Sequence, residues 1–167
     1  AAVGALPAPG WSIWGEVRVS SERCPLGRAT ATYCLRLTLK ITGVPATVLG
    51  STAIKAALAQ AGVAGGEVSE VLMGCVLPGN LGQAPARQAA IGAGIATSAG
   101  ATTLNKVCGS GMKAIMLGHD LIKAGSASVV VAGGMESMTN APHMLPGSRT
   151  GSKYGPITMV DHMAWDG

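Results

Sequence analysis

Residues 102–123, TTLNKVCGSGMKAIMLGHDLIK, decide how this chain is read. The stretch opens on a short strand-like run at 102–107, breaks at Cys108 and Gly109, and continues as a helix over residues 109–123. Met112, Ala114, Ile115, Met116, Leu117, Leu121 and Ile122 cover nearly the whole circumference of that helix, interrupted only by Lys113, His119, Asp120 and Lys123. A helix apolar all round is a buried one, so it is expected to lie between two sheets rather than over one, with His119 a satisfied core histidine.

Outward from this centre the same alternation repeats. Residues 45–61, PATVLGSTAIKAALAQA, have Pro near the first turn and Gly62 past the end, the asymmetry of a helix. Residues 70–77, EVLMGCVL, form an apolar run closed by Pro78 and Gly79 and predict a buried strand. A further helix is expected at 84–93 and a strand at 127–132. Strands alternating with helices argue for an α/β domain with parallel strands. From Asn140 the chain turns rich in Pro, Gly, Ser and isolated charges, an excursion of loops that places His143 and His162 at the surface by default. Residues 1–42 do not share the pattern: they hold two of the three Trp and two of the four Cys, with no clear period beyond a short VRVSS alternation.

Composition narrows the classes. With 167 residues, 25 of them Gly, 48% hydrophobic and no Phe, the chain can bury a core of Ala, Val, Ile, Leu and Met in closely approaching layers. The net charge of +4 comes from twelve Lys and Arg scattered singly, without the basic run or aromatic platform of a nucleic-acid binder, so no nucleic acid is expected. No apolar stretch approaches a membrane span, and the first residues lack the form of a signal peptide. Cys24, Cys34, Cys75 and Cys108 form no CxxC pair, so a reduced, cytoplasmic protein is the simpler reading. The absence of an initiator Met leaves room for a start outside this sequence.

Cys108 sits between a strand and a helix, where the free amides of the helix start and its macrodipole favour a thiolate. Gly109 and Gly111 clear side chains from the turn for a bulky thioester, and the Cys108 backbone N–H is placed to hold a tetrahedral oxyanion. Position alone leaves a second reading open, a small buried hydrophobe at a packed turn. The same turn also carries GxGxxA through Gly109, Gly111 and Ala114, a dinucleotide fingerprint, with Glu136 somewhat beyond the distance of a ribose-binding acid; Asn105 and Lys106 speak against a central strand of that kind. A redox thiol needs a resolving partner, and Cys75, in its apolar strand, reads as core instead. None of the three His is a convincing base for Cys108.

Four stretches, VLGSTAIKAAL, EVLMGCVLPGNLGQAPARQAAIGAGI, TTLNKVCGSGMKAI and VVVAGGMESMTNAPHMLPGSR, occur in an order that resembles the thiolases, especially bacterial acetyl-CoA acetyltransferases of the biosynthetic type. The resemblance runs over 43–167 and implies the thiolase fold, here the incomplete amino-terminal half of a layered αβαβα architecture, with a loop excursion from about 140 that helps bind CoA. It maps the nucleophilic Cys onto Cys108, which would accept an acyl group from one thioester and pass it to the α-carbon of a second, or run the reverse thiolysis of a 3-ketoacyl-CoA. It implies acyl-CoA substrates, no metal or redox cofactor, and a homodimer or homotetramer when complete. The Gly-His-Pro histidine, the Asn-Glu-Ala-Phe segment and the second Cys of the family belong to a carboxyl-terminal half not found here, so efficient turnover by this chain alone is not expected. A non-catalytic truncated scaffold remains an alternative, as does a ketosynthase-type condensing enzyme, which also places a Cys at a helix start. At the other end only residues 17–27, VRVSSERCPLG, faintly echo the family's first strand and turn, as a reading-frame error upstream would explain.

Overall fold

The computed structural model describes residues 43–167 and, as backbone, two upstream strands. These strands, β1 (Arg18–Arg23) and β2 (Ala31–Arg36), pair antiparallel with Arg18 opposite Arg36 and Arg23 opposite Ala31. The expectations for Cys24 and for the start of the chain fall outside the described residues.

Helix α1 (Ala46–Ala61) follows Pro45 and ends at Gly62, whose φ of 66° is a conformation glycine adopts without a Cβ penalty. The fold then builds a parallel sheet from β3 (Glu70–Gly74), β4 (Gly100–Leu104) and β5 (Val130–Gly134), in the order β4-β3-β5. Gly74 stands opposite both Leu104 and Gly134, so the three strands end level. Successive side chains of a strand point to opposite faces. On one face Val71 and Met73 join Ile54 and Leu58 of α1 and Ala86, Ala89 and Ala90 of α2 (Pro85–Gly92) in the core. On the other, Val130 and Ala132 meet Gly118 of α3 (Ser110–Lys123). The result is three layers, a helix pair, a parallel sheet and a helix, the α/β arrangement expected from the alternation of elements.

The expected elements are all present, with shifted ends. The strand foreseen at 70–77 stops at Gly74, because the amides of Val76 and Leu77 leave the ladder for the Glu136 carboxylate at 2.8 and 3.0 Å. The strand foreseen at 127–132 lies instead at 130–134: the amides of Ser128 and Val129 bond the Ser69 hydroxyl, and pairing starts only where Val130 meets Glu70.

Helix α3 corrects one expectation. Its buried stripe is Ser110, Ala114 and Gly118, one residue every helical turn, while Met112, Ile115 and Met116 are exposed. One face lies on the sheet, and no described residue covers the other. His119 continues the exposed stripe and is not a core histidine; its side chain is 61% exposed and its Nδ1 lies 3.3 Å from Asp120.

Beyond β5 the chain forms short β6 (His143–Met144) and β7 (Val160–Asp161), paired antiparallel, and the single-turn α4 (His162–Asp166). His143 is exposed, as expected. His162 is not a surface residue: it is 5% exposed, its Nε2 accepts the Gly79 amide at 3.1 Å and its Nδ1 lies 2.6 Å from Asp166. The β6–β7 pairing carries α4 onto the loop after β3, and composition gave no sign of that docking.

Candidate active site around Cys108

Cys108 is exposed, at the carboxyl edge of the parallel sheet and just before α3. Ligands of open α/β sheets gather at this edge. Glycine lets α3 reach it. A Cβ at Gly74 would stand 2.6 Å from the Ser110 side chain, and one at Gly134 would stand 3.3 Å from Gly111 Cα, so the helix start rests directly on strand backbone. Gly111 thus has a packing task beyond opening the turn.

The turn itself is strained. Val107 has a φ of 48°, a conformation in which a β-branched residue is an outlier. Its amide donates to Asn105 Oδ1 at 2.8 Å, and its carbonyl accepts the Ser110 hydroxyl at 2.6 Å. The same hydroxyl accepts the Lys106 amide at 2.8 Å, and Asn105 Nδ2 donates to Val76 O at 3.3 Å. The amides of Gly109 and Ser110 are engaged with Lys106 O and Val107 O, both at 3.0 Å. Among the described residues no acceptor takes the Cys108 amide.

A cavity of about 440 Å³ opens beside Cys108. Its walls come from the loop after β3 (Val76, Leu77), the turn (Val107, Cys108, Ser110) and the loop after β5 (Met135, Glu136), with Met138 and Met163 alongside. The lining is mainly apolar and contains no imidazole among the described residues. Its one carboxylate, Glu136, is already occupied by the Val76 and Leu77 amides and the Cys75 thiol at 3.6 Å. Burial first, then the neighbouring Glu136 charge and its hydrogen bond, push the Cys75 thiol from 9.0 up to about 12. Cys75 is therefore an inert core thiol, as its apolar strand suggested. Among the described residues no group of three or more His, Cys, Asp or Glu gathers into a metal site.

The geometry gives the dinucleotide reading no support: Glu136, the acid it would need for a ribose, is bound to the Val76 and Leu77 amides. Sequence reasoning singled out Cys108, Gly109 and Gly111 but missed Asn105, Ser110 and the strand-ending Gly74 and Gly134. Glycines closing two apolar strands, in VLMG and VVVAGG, were the available signal.

Comparison with known proteins accords with this arrangement. The family described as thiolase, N-terminal domain, matches residues 26–167, so the chain belongs to the thiolase family. It is 48% identical over 149 residues to an acetyl-CoA acetyltransferase of Schizosaccharomyces pombe, covering 89% of this chain and 36% of the relative. It is 56% identical over 124 residues to an acetyl-CoA acetyltransferase of Cupriavidus necator, covering 74% of this chain and 32% of the relative. Acetyl-CoA acetyltransferase 2 of Arabidopsis thaliana is 56% identical over 127 residues, 76% of this chain and 32% of the relative. The chain thus spans about a third of the length of these curated relatives. Among the described residues no helix is long and apolar enough to cross a membrane.

Proposed function

We propose that this chain supplies the acyl-accepting nucleophile of an acetyl-CoA acetyltransferase. The observation that carries the reading is the placement of Cys108, exposed at a helix start beside an apolar cavity, in a chain of the thiolase family. The Cys108 thiolate attacks the thioester carbonyl, forming a new C–S bond. The tetrahedral intermediate then collapses with cleavage of the CoA C–S bond. CoA leaves as a thiolate that takes a proton, and the acyl group remains on Cys108. The acceptor is then the α-carbon of a second acyl-CoA; in reverse, a 3-ketoacyl-CoA is cleaved and CoA removes the acyl group. The unengaged Cys108 amide is the candidate oxyanion donor.

Acyl-CoA thioesters are the proposed substrates, in a cytoplasmic, homo-oligomeric enzyme whose chemistry requires no metal or redox cofactor. The cavity lining offers no base to activate Cys108 or to deprotonate an α-carbon, so slow acylation without turnover is proposed for the chain alone. This also frames the second reading, a thiolase-like scaffold without catalysis.

Acetyl-CoA incubation followed by peptide mass mapping tests the proposal. One acetyl group on Cys108, absent from Cys108→Ser, is the expected result. A chain that stays unmodified while Cys108 still reacts with iodoacetamide would favour the scaffold.

A further inference from the structure

The Val107 conformation is the least favourable backbone feature of the turn, and its two polar groups are each held by a side chain that the proposed chemistry does not use. A left-handed β-branched residue persists only where its surroundings over-determine it. Here the Asn105 carbonyl fixes the Val107 amide at 2.8 Å and the Ser110 hydroxyl fixes the Val107 carbonyl at 2.6 Å. Both partners are themselves anchored. Asn105 reaches Val76 O in the loop after β3, and Ser110 is 4% exposed, packed over Gly74. Val107, the residue immediately before Cys108, is thus gripped at both its amide and its carbonyl.

We infer that Asn105 and Ser110 are positioning residues for Cys108, clamping Val107 in the left-handed conformation so that the thiol is presented at the start of α3. This rests on the reading of Cys108 as the nucleophile. With the clamp released, Val107 relaxes to an extended or right-handed conformation, and the following residue rotates away from the start of α3, where its thiol stands exposed beside the cavity. Neither side chain needs to touch a substrate. They act through the backbone of a single residue.

That mode of action has a distinctive signature. Glycine adopts positive φ about as readily as negative, so a glycine at 107 has far less need of the clamp. The rate of iodoacetamide alkylation at Cys108, followed by peptide mass mapping, is measured for the native chain, Asn105→Ala, Val107→Gly and the double variant Asn105→Ala/Val107→Gly. Asn105→Ala is expected to slow alkylation by about five- to tenfold, the direction set by loss of the strained conformation that presents the thiol. The double variant is expected to recover most of the native rate. Asn105→Ala reacting at the native rate, or a slowed rate that Val107→Gly fails to restore, would overturn the inference, since a merely structural Asn105 would not be rescued by glycine at a neighbouring position. If Asn105→Ala does not fold, Ser110→Ala reads the other arm of the clamp, with the same expected slowing and the same rescue. Alkylation does not depend on acyl transfer. A native chain that alkylates but takes no acetyl group from acetyl-CoA removes the proposed function and leaves the clamp to be judged by the rescue alone.

Discussion

The thiol of Cys75 lies 3.6 Å from Glu136 Oε1, and the same carboxylate accepts the amides of Val76 and Leu77. One side chain from the loop after β5 therefore ties down the three residues that follow β3, and two of them wall the cavity beside Cys108.

The first prediction is a separation of the two described thiols. Cys75 is 1% exposed and its thiol is held up near pH 12 by burial and by Glu136, whereas Cys108 is exposed. Iodoacetamide at pH 8 should label Cys108 and leave Cys75 untouched until the chain is denatured. The sign of the linked stability follows from the same shift. Unfolding lowers the Cys75 value from about 12 to its ordinary 9.0, so the unfolded state loses its proton first as pH rises. The contribution is fully present below pH 9.0 and is lost between there and about 12, at about 1.4 kcal/mol per pH unit. Urea unfolding at successive alkaline pH values, with Cys75→Ala as control, measures it: the variant should show the shallower decline.

A second prediction concerns the Glu136 carboxylate. Glu136→Gln replaces one acceptor oxygen by an NH2 that faces a backbone amide at about hydrogen-bond distance. Leaving a part-buried donor unmatched costs about 1–3 kcal/mol. The variant should unfold at lower urea than the native chain, and it should bring Cys75 alkylation down to milder pH, since the charge that opposes its thiolate is gone. Unchanged Cys75 reactivity would show that burial alone protects it.

How far these features were legible varies with the kind of signal. The order of helices and strands came through because Ala, Val, Leu and Ile recur with helical or strand period in α1, α2 and β3, and because Gly62 closes α1. Element ends were misplaced wherever a side chain diverted the ladder: Glu136 cut β3 short, and Ser69 delayed β5. Cys108 was visible from its place between a strand and a helix. The grip on Val107 was not, because Asn105 and Ser110 read as ordinary turn residues until their bonds are seen to converge on one residue. His162 was misread for a similar reason. Its burial depends on Gly79, 83 residues earlier in the chain, and no local pattern encodes that contact.

A third prediction tests the glycine contact beneath the site. A Cβ at residue 74 would lie 2.6 Å from both the carbonyl carbon and the Cβ of Ser110, and 2.7 Å from the Gly111 amide nitrogen. These are backbone atoms and the root of a buried side chain, with no flexible end to move aside. Gly74→Ala should push α3 away from the strand ends and lower stability by about 1–3 kcal/mol, the range for an overpacked core. Because the clamp hydroxyl of Ser110 moves with the helix, Cys108 alkylation should slow as well. Gly133→Ala is the contrasting case, since its Cβ would meet only Met73 Sδ at 3.8 Å, and it should leave that rate near native.

Ala84 offers the opposite kind of change, a stabilising one. It has φ 45° and ψ 67° and precedes Pro85, the first residue of α2. Its carbonyl accepts the amides of Arg87 and Gln88 at 2.8 and 3.1 Å, so its conformation starts the helix and cannot relax without losing those bonds. Alanine in the left-handed region is disfavoured by about 1–2 kcal/mol, because its Cβ crowds the following carbonyl. Asparagine tolerates the region better and is preferred before a helix, while it keeps the unfolded chain as restricted as most residues do, which glycine would not. Residue 84 is exposed, so no packing is lost. Ala84→Asn should therefore stabilise the chain by about 0.5–1 kcal/mol, a rise in Tm of about 1–4 °C for a chain of this size. Ala84→Val should lower Tm, because a β-branched side chain deepens the same clash. A thermal melt of the two variants decides it: equal Tm values would mean that position 84 relaxes freely and that α2 does not depend on this strained start.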